Sequence, residues 1–167
     1  MSDLQETLVF PQLNKPAPDF SANTTHGPKT LADYKGKWLV LFSHPADFTP
    51  VCTTEFIAFA KAYPQFQKLN TELLGLSIDS VHSHVAWVRT IKEKFGVEIN
   101  FPIIDDLSMR IAQSYGMIQP GASNTSAVRA TFIIDDKGIT RSINIRGWMA
   151  EYSYGQRYRW QEKNMGW

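Results

Sequence analysis

Four short apolar runs, set between stretches of helical periodicity, constrain this chain most. Trp38-Leu-Val-Leu-Phe42 and Leu73-Leu-Gly-Leu-Ser-Ile78 are continuous, Phe101-Pro-Ile-Ile104 is shorter, and Arg129-Ala-Thr-Phe-Ile-Ile134 is the last. Runs of this length, rich in branched residues, suit strands buried on both faces. After the first, Phe56, Phe59, Ala60, Tyr63 and Phe66 or Gln67 fall near one helical stripe. Pro64 lies inside it, lacks a backbone donor and predicts a kink. After the second, Asp79 or Ser80 caps a helix with Val85, Val88, Ile91, Lys92 and Phe95 on its stripe, ended by Gly96. After the third, Asp105 or Asp106 caps a helix through Leu107, Ile111, Ala112 and Tyr115, stopped by Gly116. Asp136-Lys-Gly138 then turns the fourth run into a hairpin with Ile139-Thr-Arg-Ser-Ile143. Upstream, Pro11, Pro16, Pro18, Gly27, Pro28 and Gly36 punctuate short strands and turns. Strands alternating with helices mean an α/β fold, and the terminal hairpin makes its sheet mixed and flanked by helices.

The chain's 167 residues suit one domain, and its formal net charge of +1 gives no reason to expect a nucleic-acid partner. No apolar run approaches the roughly 20 residues that span a bilayer. Met1 to Glu6 is polar, without a basic-then-apolar signal, so the expected location is cytoplasmic. No cofactor or metal is expected. His82-Ser-His84 has no Cys, Asp or Glu beside it, and i, i+2 residues on a helix point apart, so it reads as a capped, solvated helix start. Gly116 to Ser126 lacks a phosphate or dinucleotide fingerprint and reads as a loop.

The chain has one cysteine, Cys52, which excludes an internal disulfide, a CxxC pair and a multi-cysteine zinc site. A buried structural thiol, an intermolecular bridge and a reactive thiol remain. A lone cysteine is more often a buried structural thiol, but the position of this one is compatible with a reactive thiol. It follows a buried strand and a loop with two prolines and opens a helix, where unpaired N–H groups and the helix dipole favour a thiolate. Such sites lower a cysteine pKa from about 8.5 to about 3.5–7.5.

Pro45, Thr49 and Cys52 form P-x-x-x-T-x-x-C within Ser43-His-Pro-Ala-Asp-Phe-Thr-Pro-Val-Cys-Thr-Thr-Glu55. This stretch resembles the peroxiredoxins, and most closely their one-cysteine, Prx6-like branch, in which a His precedes the Pro. The resemblance continues through Leu74-Gly-Leu-Ser-Ile-Asp79, Trp87, Phe101-Pro-Ile-Ile-Asp105 and Val128-Arg-Ala-Thr-Phe-Ile-Ile-Asp135, covering roughly Phe10 to Ile143. It implies a thioredoxin-like fold and a peroxidase that reduces hydrogen peroxide and organic hydroperoxides through a cysteine sulfenic acid. Cys52 would be the peroxidatic thiolate, Thr49 would hydrogen-bond it or the peroxide, and Arg129 would stabilise it and the leaving oxygen. Pro45 would shield the site, and Glu55 would orient the Arg. Other readings stand beside these. Thr49 would serve as an N-cap, Pro45 as a loop former, Glu55 as an exposed first-turn acid and Arg129 as a surface ion-pair partner. His44 either faces the pocket or satisfies the end of the strand.

No resolving cysteine exists within these 167 residues, so an external thiol such as thioredoxin, glutaredoxin or glutathione is the expected reductant, with a homodimer or higher homo-oligomer as assembly. A peroxide sensor or holdase would share the first oxidation and differ in turnover. The phospholipid-hydrolysing G-D-S-W segment of some animal relatives is matched only by Gly36-Lys37-Trp38, without the Ser. After Ile143 the resemblance stops. Residues 1–143 therefore read as the peroxiredoxin domain and residues 144–167 as an atypical tail, read as a change of frame or a cloning artefact. The family's second active-site Arg has no secure match among Arg146, Arg157 and Arg159.

Overall fold

A computed structural model describes residues 11–118 and 127–146. The outer parts of the expected tail, Arg157 and Arg159, and positions 119–126 of the expected loop lie outside the described residues.

Two short strands, β1 (Ser21–Ala22) and β2 (Lys29–Thr30), form an antiparallel pair ahead of the main sheet. The main sheet contains β3 (Trp38–Ser43), β4 (Thr71–Ser77), β5 (Ile103–Asp105), β6 (Arg129–Ile134) and β7 (Thr140–Arg146), in the order β5-β4-β3-β6-β7. β3 runs parallel to β4 and antiparallel to β6, and β6 pairs antiparallel with β7. The helices are α1 (Pro50–Lys68), α2 (Val81–Phe95) and α3 (Arg110–Ser114). The expected α/β architecture with a mixed sheet is present.

The central position of β3 explains its composition. Leu39 and Leu41 face one apolar cluster, with Leu74, Leu76, Ile104, Phe132 and Ile134 and with Ile111 and Ala112 of α3. Val40 and Phe42 face the other, with Leu73, Ile103, Phe56 and Tyr63 of α1, and Trp87 and Ile91 of α2. Alternate residues of one strand thus enter different cores, which a continuous apolar run permits and an alternating one does not.

α1 carries Pro64 inside it and continues to Lys68. Two expected elements differ in detail. α2 buries His84, Trp87 and Ile91, leaving Val85 and Phe95 exposed, so its inward stripe is rotated from the one read by hydrophobicity. Ser80 is its N-cap, accepting from the Ser83 N–H, and Gly96 closes it at φ 65°. α3 is a short turn beginning at Arg110. Asp106 still serves it, accepting from the Ile111 and Ala112 N–H groups at 3.2 and 2.7 Å, while Leu107 lies exposed outside it.

α1 is seated on the sheet by Phe56, whose ring lies over Gly75 of β4. A Cβ at Gly75 would come within 3.0 Å of Phe56 Cζ. Gly75→Ala is expected to destabilise the fold by about 1–3 kcal/mol through overpacking. A urea midpoint unchanged from wild type would show that Phe56 has room to yield.

Candidate active site

Cys52 is the third residue of α1, so its sulfur sits in the first turn among N–H groups that have no partner within the helix. It is 1% exposed and packs with Phe56 and Trp87 in the cluster beneath the helix. Arg129, the first residue of β6, reaches it, with Nη2 donating to Sγ at 3.3 Å. The other guanidinium nitrogen, Nη1, donates to Glu55 one turn along α1. Cys52, Glu55 and Arg129 therefore form one cluster, in which Arg129 is the ion-pair partner of Glu55 and also touches the sulfur. Glu55 sits beyond the first turn, so it is not the first-turn acid of the dipole reading.

The sheet sets Arg129 in place. Ser43 ends β3 opposite Ala130. Its Oγ donates to the Val128 carbonyl at 2.5 Å and accepts from the Ala130 N–H at 3.0 Å, so it clips the backbone on both sides of Arg129.

Thr49 occupies the N-cap position, but its side chain makes no capping bond. The hydroxyl donates back to the Ala46 carbonyl at 3.0 Å and not to Cys52, leaving its lone pairs available as acceptors. Its own carbonyl takes the Thr53 N–H, and the Thr53 hydroxyl in turn accepts from Trp87 Nε1. Pro45 is half-buried in the same loop. Phe48 adopts φ 59°, a left-handed conformation that costs a bulky residue about 1–2 kcal/mol. The loop is thus held in a shape its sequence does not favour.

What holds it is Asp47, a residue the sequence reading did not single out. His44 Nε2 donates to Oδ1 at 2.8 Å, while His84 Nδ1 and the Ser83 hydroxyl each lie 2.8 Å from Oδ2. The Asp47 N–H donates to Asp79 Oδ2 at 3.0 Å. His44 and His84 are fully buried. Of the two readings of His44, its backbone fits the strand end, since its N–H donates to the Leu76 carbonyl. Its ring lies on Phe56 and Trp87, and its Nδ1 is buried without a hydrogen-bond partner. The solvated reading of His82-Ser-His84 is corrected for His84: its acid lies 37 positions earlier in the chain. Neighbouring residues could not reveal it, although His44 and Asp47 at i, i+3 offered a partial signal.

These three side chains are also the candidate metal ligands, with ligand atoms within 4.8 Å of one another. The 2.8 Å spacing from carboxylate oxygen to ring nitrogen is that of a hydrogen bond. Ligands about 2.1 Å from a tetrahedral ion would stand about 3.4 Å apart. The geometry therefore suits protons between the groups better than a cation among them.

With this geometry in place, comparison with known proteins is decisive: the AhpC/TSA family model matches residues 13–143. The chain belongs to the AhpC/TSA family. It is 62% identical over 139 residues to a peroxiredoxin of Aquifex aeolicus, covering 83% of this chain and 63% of that protein. It is 64% identical over 136 residues to peroxiredoxin 2 of Caldanaerobacter subterraneus subsp. tengcongensis, covering 81% and 62%. The chain thus spans less than two thirds of the length of these curated relatives. Among solved structures, yeast mitochondrial 1-Cys peroxiredoxin aligns with a TM-score of 0.75 at 42% identity, over 81% of this chain and 68% of that one. Peroxiredoxin 6 of Arenicola marina aligns with a TM-score of 0.75 at 33% identity, over 81% and 65%. The resemblance to one-cysteine and Prx6-like peroxiredoxins, and the thioredoxin-like fold it implied, are borne out.

The buried groups make stability pH-dependent. Burial raises the Asp47 pKa, but hydrogen bonds from His44 and His84 and the charges of those rings outweigh it and bring the carboxyl to about 2 from an ordinary 3.8. Its contribution is complete above the unfolded value and lost as pH falls toward 2. Burial lowers the His44 pKa from 6.5, with Asp47 opposing only in part. The unfolded chain therefore binds a proton near pH 6.5 that the folded chain resists, and stability falls as pH drops through that range. Asp106, raised chiefly by burial, works in the opposite sense near pH 4. Urea midpoints are expected to fall between about pH 7.5 and 5.5 and again toward about pH 2. A midpoint flat across the upper range would contradict the assignment to His44.

Proposed function

We propose that the chain is a one-cysteine thiol peroxidase acting on hydrogen peroxide and organic hydroperoxides. The observation that carries the reading is the Arg129 Nη2 contact with Cys52 Sγ at 3.3 Å. A permanent cation beside a sulfur at a helix N-terminus favours the thiolate as nucleophile. The thiolate attacks one peroxide oxygen, forming an S–O bond as the O–O bond breaks. The leaving oxygen carries away the electron pair and takes up a proton, leaving Cys52 as the sulfenic acid and releasing water or an alcohol. Arg129 also offers N–H donors to the oxygen on which charge develops, and donors so placed are worth about 2.7–4 kcal/mol in other enzymes. Glu55 orients the guanidinium, Thr49 presents its hydroxyl lone pairs to the incoming hydroperoxide, and Pro45 limits access. The burial of Cys52 fits a substrate whose reacting part is only two oxygen atoms.

Regeneration falls to an external thiol. One thiol condenses with the sulfenic acid, releasing water and leaving a mixed disulfide, and a second thiol releases Cys52. Thioredoxin, glutaredoxin and glutathione are the proposed donors. The yeast mitochondrial protein aligned above is described as resolving its thiol via glutathione/thioredoxin systems. In this reading residues 1–143 form the catalytic domain, copies of the chain assemble as a homodimer or larger homo-oligomer, and the enzyme works in the cytoplasm. Among the described residues no helix is long and apolar enough to cross a membrane.

Peroxide consumption with each thiol donor tests the proposal. Cys52→Ser is expected to abolish it while the fold survives, and continued turnover by that variant would overturn the assignment. Arg129→Ala is expected to slow stopped-flow oxidation of Cys52 by about a hundredfold or more. An unchanged rate would remove Arg129 from the mechanism. Single-turnover oxidation with every donor would favour a sensor or holdase instead.

A further inference from the structure

We propose that Asp47 is a positioning residue for Cys52, acting through its buried pair with His84 to lock the loop between β3 and α1 onto α2. The inference rests on the peroxidase reading only for what Cys52 does, and not for how Asp47 places it.

The Asp47 carboxylate takes the bonds from His44, Ser83 and His84, and Asp47 is the residue before the left-handed Phe48. Two residues later Thr49 starts α1, and Cys52 is the helix's third residue. Displacement of Asp47 would therefore carry directly into the turn that bears the sulfur. The backbone of Arg129 would not follow, because β3 and the Ser43 hydroxyl hold it. The sulfur–guanidinium contact thus joins two separately anchored parts, and Asp47 anchors the loop that leads into the cysteine's turn, while Phe56 and the Thr53–Trp87 bond hold the helix beyond it.

The His84 ring has an acceptor on each side. His84 Nε2 lies 3.0 Å from the Ile104 carbonyl, which can only accept. His84 Nδ1 faces the Asp47 carboxylate, also an acceptor. A neutral ring has one N–H and satisfies one side; an imidazolium satisfies both. His44 supplies a neutral N–H to the other carboxylate oxygen. Asp79 is the second carboxylate facing this group, and it is occupied by the Asp47 N–H and the Ser77 hydroxyl. Buried charges contribute little to stability compared with apolar packing of the same volume. They do impose direction, because breaking one bond leaves the others with a charge to satisfy.

The two nitrogens of His84 allow a test that separates positioning from simple packing. His84→Asn places an amide donor near the former Nδ1 and keeps the bond to Asp47. His84→Gln places its donor near the former Nε2 and keeps the bond to Ile104. Asp47→Asn removes the charge itself. The readout is the rate of Cys52 alkylation by iodoacetamide at neutral pH, followed by intact mass, with circular dichroism to confirm folding and hydrogen exchange over residues 43–52. Asp47→Asn and His84→Gln are expected to slow alkylation by about tenfold or more and to raise exchange in that loop. His84→Asn is expected to stay at least about threefold faster than His84→Gln. Equal slowing by the two His84 variants, or His84→Gln the faster, would overturn the proposal. So would a wild-type rate in folded Asp47→Asn. Should Asp47→Asn not fold, the His84 pair decides alone. Alkylation needs no peroxide, so wild-type protein inert to peroxide would overturn the peroxidase reading and leave this one standing.

Discussion

The register of β6 against β3 is the constraint on which the site depends. Leu39 stands opposite Ile134 and Ser43 opposite Ala130, so Ala130, Phe132 and Ile134 enter the core facing α3. Ile133 packs with the cluster beneath α1 and α2, and Arg129 points to that same side, where it meets Cys52 and Glu55. Side chains alternate along a strand, so a slip of one residue would send Arg129 into the other core and bring Ala130 to the cysteine. The slip would also bury a guanidinium among Leu39, Leu41 and Tyr115. The apolar residues of β6 therefore place its one charged residue, and the Ser43 hydroxyl fixes the backbone around it.

Two polar clusters flank α1 and are built on different principles. The Arg129–Glu55 pair is partly exposed, and in such places an ion pair adds little net stability. Its consequence is geometric, because it turns the guanidinium so that the remaining nitrogen meets the sulfur. The His44–Asp47–His84 cluster is fully enclosed, and taking its carboxylate out of water costs several kcal/mol before its hydrogen bonds repay it. Enclosure makes each bond strong and each unsatisfied atom expensive. A loop with a left-handed Phe needs that kind of restraint, whereas a contact that on the peroxidase reading admits a substrate does not.

The strands were legible because they are buried on both faces, so hydrophobicity and position coincide from Trp38 to Phe42 and from Leu73 to Ile78. The site was legible where its residues lie close together in the chain, as from Pro45 to Glu55, and through Arg129 where the family motif supplied it. The inward face of α2 was not legible. Val85 is apolar but exposed, and His84 is polar but buried, because Asp47 and the Ile104 carbonyl satisfy its ring. Those partners are 37 and 20 positions away. A hydrophobic stripe records the cost of burying a polar group and not the bonds that offset it. The same blindness hid Ser43, whose partners are on β6, and shortened the legible part of α3, where Asp106 reaches past an exposed Leu107 to its helix.

On the peroxidase reading, the two half-reactions make opposite demands on this loop. Oxidation needs Cys52 held against Arg129, with water kept away, and the Asp47 anchors serve that arrangement. Reduction needs a second sulfur to approach the oxidised one in line, and a thiol carried on a protein is far bulkier than a peroxide. With Cys52 only 1% exposed, that approach is closed to a protein donor in the conformation described. A small thiol meets a lower steric barrier than a protein thiol does. The burial of Cys52 therefore bears on the choice of reductant, since the chain has one thiol and a second must be brought to it.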